Sequence, residues 1–125
     1  MSFDTVNHLD QSLEAAADLS AKQYRFVTID SNGQAALATR GALAVGVLQD
    51  KPNAAGRVGA VRTVSGLPTK IVLGGTVTKG QALVSDANAA AVNASSSDNA
   101  YLGFAMESGS SGQIIAMLWQ PRGLS

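Results

Sequence analysis

The chain has 125 residues, nine basic and nine acidic side chains that cancel, 14 % charged residues, one histidine and no cysteine. That length makes one domain, and the absent cysteines exclude a disulfide framework, thiolate chemistry and zinc ribbons or fingers. The balanced, scattered charge excludes the basic stripe of a nucleic-acid binder, and no apolar run reaches the roughly 18 residues of a membrane span. Met1–Ser20 is not a signal peptide, because Asp4, Asp10, Glu14 and Asp18 interrupt it.

The chain divides near Asp18 into an N-terminal arm, 1–18, and a body, 19–125. In the arm Val6, Leu9, Leu13 and Ala16 recur at helical spacing, and Asp4 stands where it can cap a helix start. This predicts a short amphipathic helix, or a segment that becomes helical on a partner, since so short a helix is marginal alone in water. Its apolar stripe needs a surface, supplied by the chain's own body or by a neighbouring subunit.

The body reads as short β runs cut by turns at intervals of roughly 8–12 residues, the pattern of an all-β barrel or sandwich. Tyr24–Asp30 is rich in aromatic and β-branched residues, and Asn32-Gly33 then supplies a hairpin turn that returns the chain through Gln34–Ala38. Ala44–Leu48 follows. Val58–Val64 breaks strict alternation, which suggests a bulge near Gly59-Ala60. Thr69–Leu73, Thr76–Thr78, Ala82–Ser85, Ala89–Asn93, Tyr101–Met106 and Gln113–Trp119 complete the strands, with Pro121 expected to stop the last one. The serine-rich stretch Ala94–Asn99 reads as a loop tip. The sequence shows no convincing internal repeat. Small residues at many positions suggest tight strand crossings in a strongly bent sheet.

Chemistry is hard to build from these residues. A nucleophilic triad needs a base, and the sole imidazole, His8, lies in the arm. A metal site of histidine and thiolate cannot be assembled from one histidine and no cysteine, and Asp86 and Asn88 read as turn formers rather than calcium ligands. Gly74–Gly80 lacks the ending of a phosphate loop. No catalytic residue, metal ligand or cofactor is therefore assigned. Tyr24, Arg25 and Phe26 alone come near the aromatic-and-basic pattern of a nucleic-acid barrel, and Phe26 reads as core. Trp119 anchors an interface or caps the core. Val77–Leu83 is similar to a phrase of biotinyl and lipoyl carriers, but Lys79 and Lys70 lack the methionine flanks of a modified lysine. A carrier or ligand-binding barrel is the alternative reading.

Six phrases, in order, carry a wider resemblance: Leu19–Val27, Ala44–Pro52, Gly74–Gly80, Leu83–Asp86, Tyr101–Ala105 and Gly112–Ile115. Together, over about Ala17–Gly123, the chain resembles the capsid cement, or decoration, proteins of tailed bacteriophages. The resemblance implies a small β-barrel or β-tulip body that forms an oligomer, a homotrimer ahead of a dimer, on the outside of the mature head. Its partners would be itself and the major capsid protein, with no nucleic acid, membrane or cofactor, and no catalysis. The arm residues Phe3, Val6, Leu9 and Leu13 are the candidate subunit or capsid interface.

Overall fold

The computed structural model describes residues 10–95, 98 and 100–123. The all-β expectation holds. Among the described residues, ten strands form two antiparallel five-stranded sheets. The first comprises β1 (Asp10–Glu14), β2 (Phe26–Ile29), β3 (Ala35–Leu37), β4 (Gly46–Leu48) and β5 (Val58–Arg62). The second comprises β6 (Leu67–Val72), β7 (Ala82–Ser85), β8 (Ala91–Asn93), β9 (Ala100–Ala105) and β10 (Ile114–Gly123).

The sheets share one plan. Their strand orders, β1-β5-β4-β2-β3 and β6-β10-β9-β7-β8, become identical when β1 is equated with β6, β2 with β7 and so on. In each, the outer strands are drawn together by one parallel bridge, Ala15 to Ala35 in the first and Leu73 to Ala91 in the second. Hydrogen bonds match as well: Gly56 N donates to Ala15 O and Gly112 N to Leu73 O, both at 2.8 Å. Backbone conformation also matches, since six left-handed residues fall in equivalent pairs, Tyr24 with Gly80 (φ 63° and 91°), Gly33 with Ala89 (φ 76° and 65°) and Gly56 with Gly112 (φ 84° and 88°). The protein is thus two copies of one five-stranded unit, a repeat that the sequence conceals.

Each unit has an interior of equivalent residues. Ala15, Leu19, Val27, Ala35, Leu48 and Val61 fill the first, and Leu73, Val77, Leu83, Ala91, Ala105 and Met117 are their counterparts in the second. All twelve are buried, and complete burial of an aliphatic side chain stabilises by about 1.5–3 kcal/mol. The first unit also buries Phe26, Ala38, Ala44 and Val47 outward, in one cluster with the second unit's core and Trp119.

Four local readings change. Residues 10–14 are strand rather than helix: each pairs with β5, from Asp10 opposite Arg62 to Glu14 opposite Val58. Neighbouring backbone supplies the hydrogen bonds that a short isolated helix could not sustain. The same register is unbroken through Gly59 and Ala60, so the expected bulge is absent from β5, and the apolar spacing reflects Val58 pointing outward while Val61 points in. Val77 makes only a single bridge to Gly109, not a strand. Finally, β10 continues through Pro121 to Gly123, because a register shift between Trp119 and Arg122 falls at the residue that has no N–H to donate.

Candidate functional site

Of the candidate interface residues, Phe3, Val6 and Leu9 lie outside the described residues. Leu13 sits in β1, half-buried against the first unit's interior. The arm's described part is therefore tied to the body. Ala15 is buried and its N donates to Arg57 O at 2.7 Å, and Asp10 accepts from Arg62 Nε at 2.9 Å.

The junction of the two units carries a set of polar contacts of its own. Gln49 works as a clasp: its Nε2 donates to Val47 O and to Thr69 Oγ1, both at 3.0 Å, while its backbone carbonyl accepts from Gln23 Nε2 at 2.9 Å. Tyr24, strained by its left-handed backbone, is held between the units because its N–H donates to Leu48 O and its carbonyl accepts from Val72 N. Lys70 Nζ stands 5.8 Å from the centre of the Tyr24 ring, a favourable cation–π distance. Arg40 reaches from the first unit to Asp98 in the second at 3.1 Å.

Two shallow clefts flank this junction. One, of about 190 Å³, is lined by Arg25, Gly74, Asp86, Asn88 and Ser111 among others, and Arg25 Nη1 donates to Asn88 O at 2.8 Å across it. The other, of about 290 Å³, is lined by Tyr24, Lys70, Glu107 and Ile114–Ala116. Glu107 there accepts from Ala116 N at 2.7 Å. Backbone N–H donors hold Asp98 and Asp18 below the ordinary carboxyl value, Ser95 N at Asp98 and Ser20 N at Asp18. A poised general acid would be shifted the other way. Among the described residues no group of three or more His, Cys, Asp or Glu side chains stands close enough to hold a metal ion.

The surface offers apolar area instead. Val58, Leu43, Ile114 and Ile29 are each at least half exposed, and Met106 and Val64 somewhat less. Sequence reading missed these as a set, because each is an ordinary strand or loop residue until the two sheets fix which face points out.

The described body thus presents exposed apolar side chains on an all-β frame. Residues 4–118 match the family model described as phage cement protein, and the chain belongs to that family. It is a structural protein of the phage head, placed on the outer surface of the virion capsid. A solved structure described as the head fiber gp8.5 N base of bacteriophage phi29 has the same fold, with a TM-score of 0.73 and 16 % identity. The match covers 93 % of this chain and 97 % of that one. No curated protein sequence matches.

Proposed function

We propose that the protein binds the mature head as an oligomer, a homotrimer before a dimer, bridging major capsid subunits and stabilising the shell without catalysis. The observation that carries this reading is the family match across residues 4–118. Supporting it are the exposed apolar side chains and the low, balanced charge, which suit a surface covered by neighbours better than a free monomer.

The physical task is to hold capsomer seams against internal pressure. A contact of about 800 Å² per partner is modest alone, but several feet on one rigid body raise the effective concentration of each. If the sites form only on the expanded shell, binding stabilises that state by mass action.

Function divides the chain where the sequence does: 1–18 is the docking arm and 19–125 the decoration domain, although β1 lies within the arm. Phe3, Val6, Leu9 and Leu13 dock on capsid or on a sister subunit. Because Asp10–Glu14 is paired with β5, the informative truncation removes Met1–Leu9 and spares the sheet. The truncated protein should keep its fold and bind heads poorly, whereas undiminished binding would remove the arm from the interface. Neither nucleic acid nor membrane is a partner in this reading.

A further inference from the structure

The two units meet through different surfaces. The first contributes a face of Phe26, Ala38, Ala44 and Val47, and the second covers it with its β7–β8 hairpin and Trp119. Phe26 N donates to Ala89 O at 2.9 Å, and the Phe26 and Trp119 ring centroids are 6.2 Å apart. Equivalent units joined face-to-hairpin form a head-to-tail contact, and such a contact leaves one unused face and one unused hairpin.

Both are present. The residues equivalent to Phe26, Ala38, Ala44 and Val47 are Ala82, Ala94, Tyr101 and Phe104, which are only half-buried. Tyr101 and Phe104 pair edge to face at 5.4 Å, and so preserve an apolar platform. The hairpin equivalent to Asp86–Ala90 is Asp30–Gln34. Ser31, Asn32 and Gly33 are exposed at its tip, beside the exposed Ile29, whereas Ala89 and Ala90 in the used hairpin are buried.

We propose that a second copy of this chain seats its Asp30–Gln34 hairpin on the Ala82–Tyr101–Phe104 face, repeating between chains the contact already made within one. The Gly33 carbonyl of one copy then lies opposite the Ala82 amide of the next, as Ala89 lies opposite Phe26. Head-to-tail contacts generate closed rings when the rotation per unit allows closure, and a ring of this kind is an oligomer built of twice as many units as chains. The inference assigns the self-interface of the proposed function and rests on it.

The chain has no cysteine, so a designed pair reads cleanly. Asn32→Cys and Gln81→Cys place one thiol on the hairpin tip and one beside the platform, both at exposed positions. With a short bis-maleimide, the full-length double variant should become covalent oligomer and each single variant should stay monomeric on a denaturing gel. Phe104→Glu should raise the dissociation constant by at least about tenfold, with the Trp119 emission unchanged as the check on folding. An oligomer by light scattering that neither cross-links nor responds to Phe104→Glu would overturn this interface while leaving oligomerisation intact. A monomer across the micromolar range would overturn both.

Discussion

Asp30 and Asp86 occupy equivalent positions in the two units and bond in the same way. The Asp30 carboxylate accepts from Asn32 N and Gln34 N, both at 2.9 Å, and that of Asp86 accepts from Asn88 N at 2.7 Å and Ala90 N at 3.0 Å. Each carboxylate ties a hairpin whose left-handed residue is Gly33 in one and Ala89 in the other. The first hairpin reaches solvent and the second supports the unit junction.

That difference in setting gives a prediction. Removing a carboxylate that accepts from two backbone N–H groups should cost about 1–2 kcal/mol by analogy with a lost helix cap. Asp30→Ala should fall at the low end in the dissociated chain, because the freed N–H groups can reach water. Asp86→Ala should cost more, since it also loosens the hairpin beneath Phe26. Urea unfolding of both variants checks the order, and equal losses would contradict the junction's dependence on the second hairpin.

Gly46 and Gly103 form a second matched pair. A Cβ on Gly46 would lie 2.5 Å from Arg62 O, and one on Gly103 would strike Leu118 O. Backbone cannot yield as a flexible side chain does, so each Gly→Ala change should destabilise by roughly 1–3 kcal/mol, the usual range for overpacking. Thermal melts of the two variants test this, and a neutral effect at either would mean that the strands separate more easily than their register suggests.

Strands rich in β-branched and aromatic residues were legible in the sequence, and β7 falls where expected, at Ala82–Ser85. β1 was not, because Asp-Gln-Ser-Leu-Glu has little strand character and becomes one only by lying along β5. The repeat was hidden for another reason. Its interior positions conserve burial and trade identity, as Val27 with Leu83, Leu48 with Ala105 and Val61 with Met117, and close packing of each interior compensates size locally. Turn chemistry survived better, in Asp30 and Asn32 against Asp86 and Asn88. Of the candidate interface, only Leu13 falls in described structure, and its helical spacing gave no hint that β5 was its partner.

Acid should weaken the junction. The backbone hydrogen bond from Ser95, with Arg40 assisting, holds Asp98 below its ordinary value of 3.8. A carboxyl with a depressed folded-state pKa contributes stability that is complete above the unfolded value and lost as pH falls through the folded one. Stability should therefore drop as the pH is lowered below about 3.8. Asp98→Asn should flatten part of that slope and lower neutral-pH stability slightly, the loss being small because the Arg40 partner is half exposed and solvent screens the pair. An unaltered slope in the variant would assign the acid sensitivity elsewhere.

Phe26 should matter more than any surface residue of the first unit. It is fully buried against Trp119, and Phe→Ala in a core costs about 3–5 kcal/mol. Because Trp119 is the sole tryptophan, its emission reports the junction directly. Phe26→Ala should shift that emission to longer wavelength even where far-ultraviolet circular dichroism remains native, and an unshifted spectrum would place the packing of Trp119 elsewhere.

The most direct test of the central claim is co-sedimentation of the full-length protein with its phage's heads, expanded and unexpanded, over a concentration series. Saturable binding to expanded heads, at a fixed copy number per shell and with a higher temperature of shell rupture, is the predicted result. Absence of binding to either form, at concentrations where the protein is folded and oligomeric, would contradict the cement role.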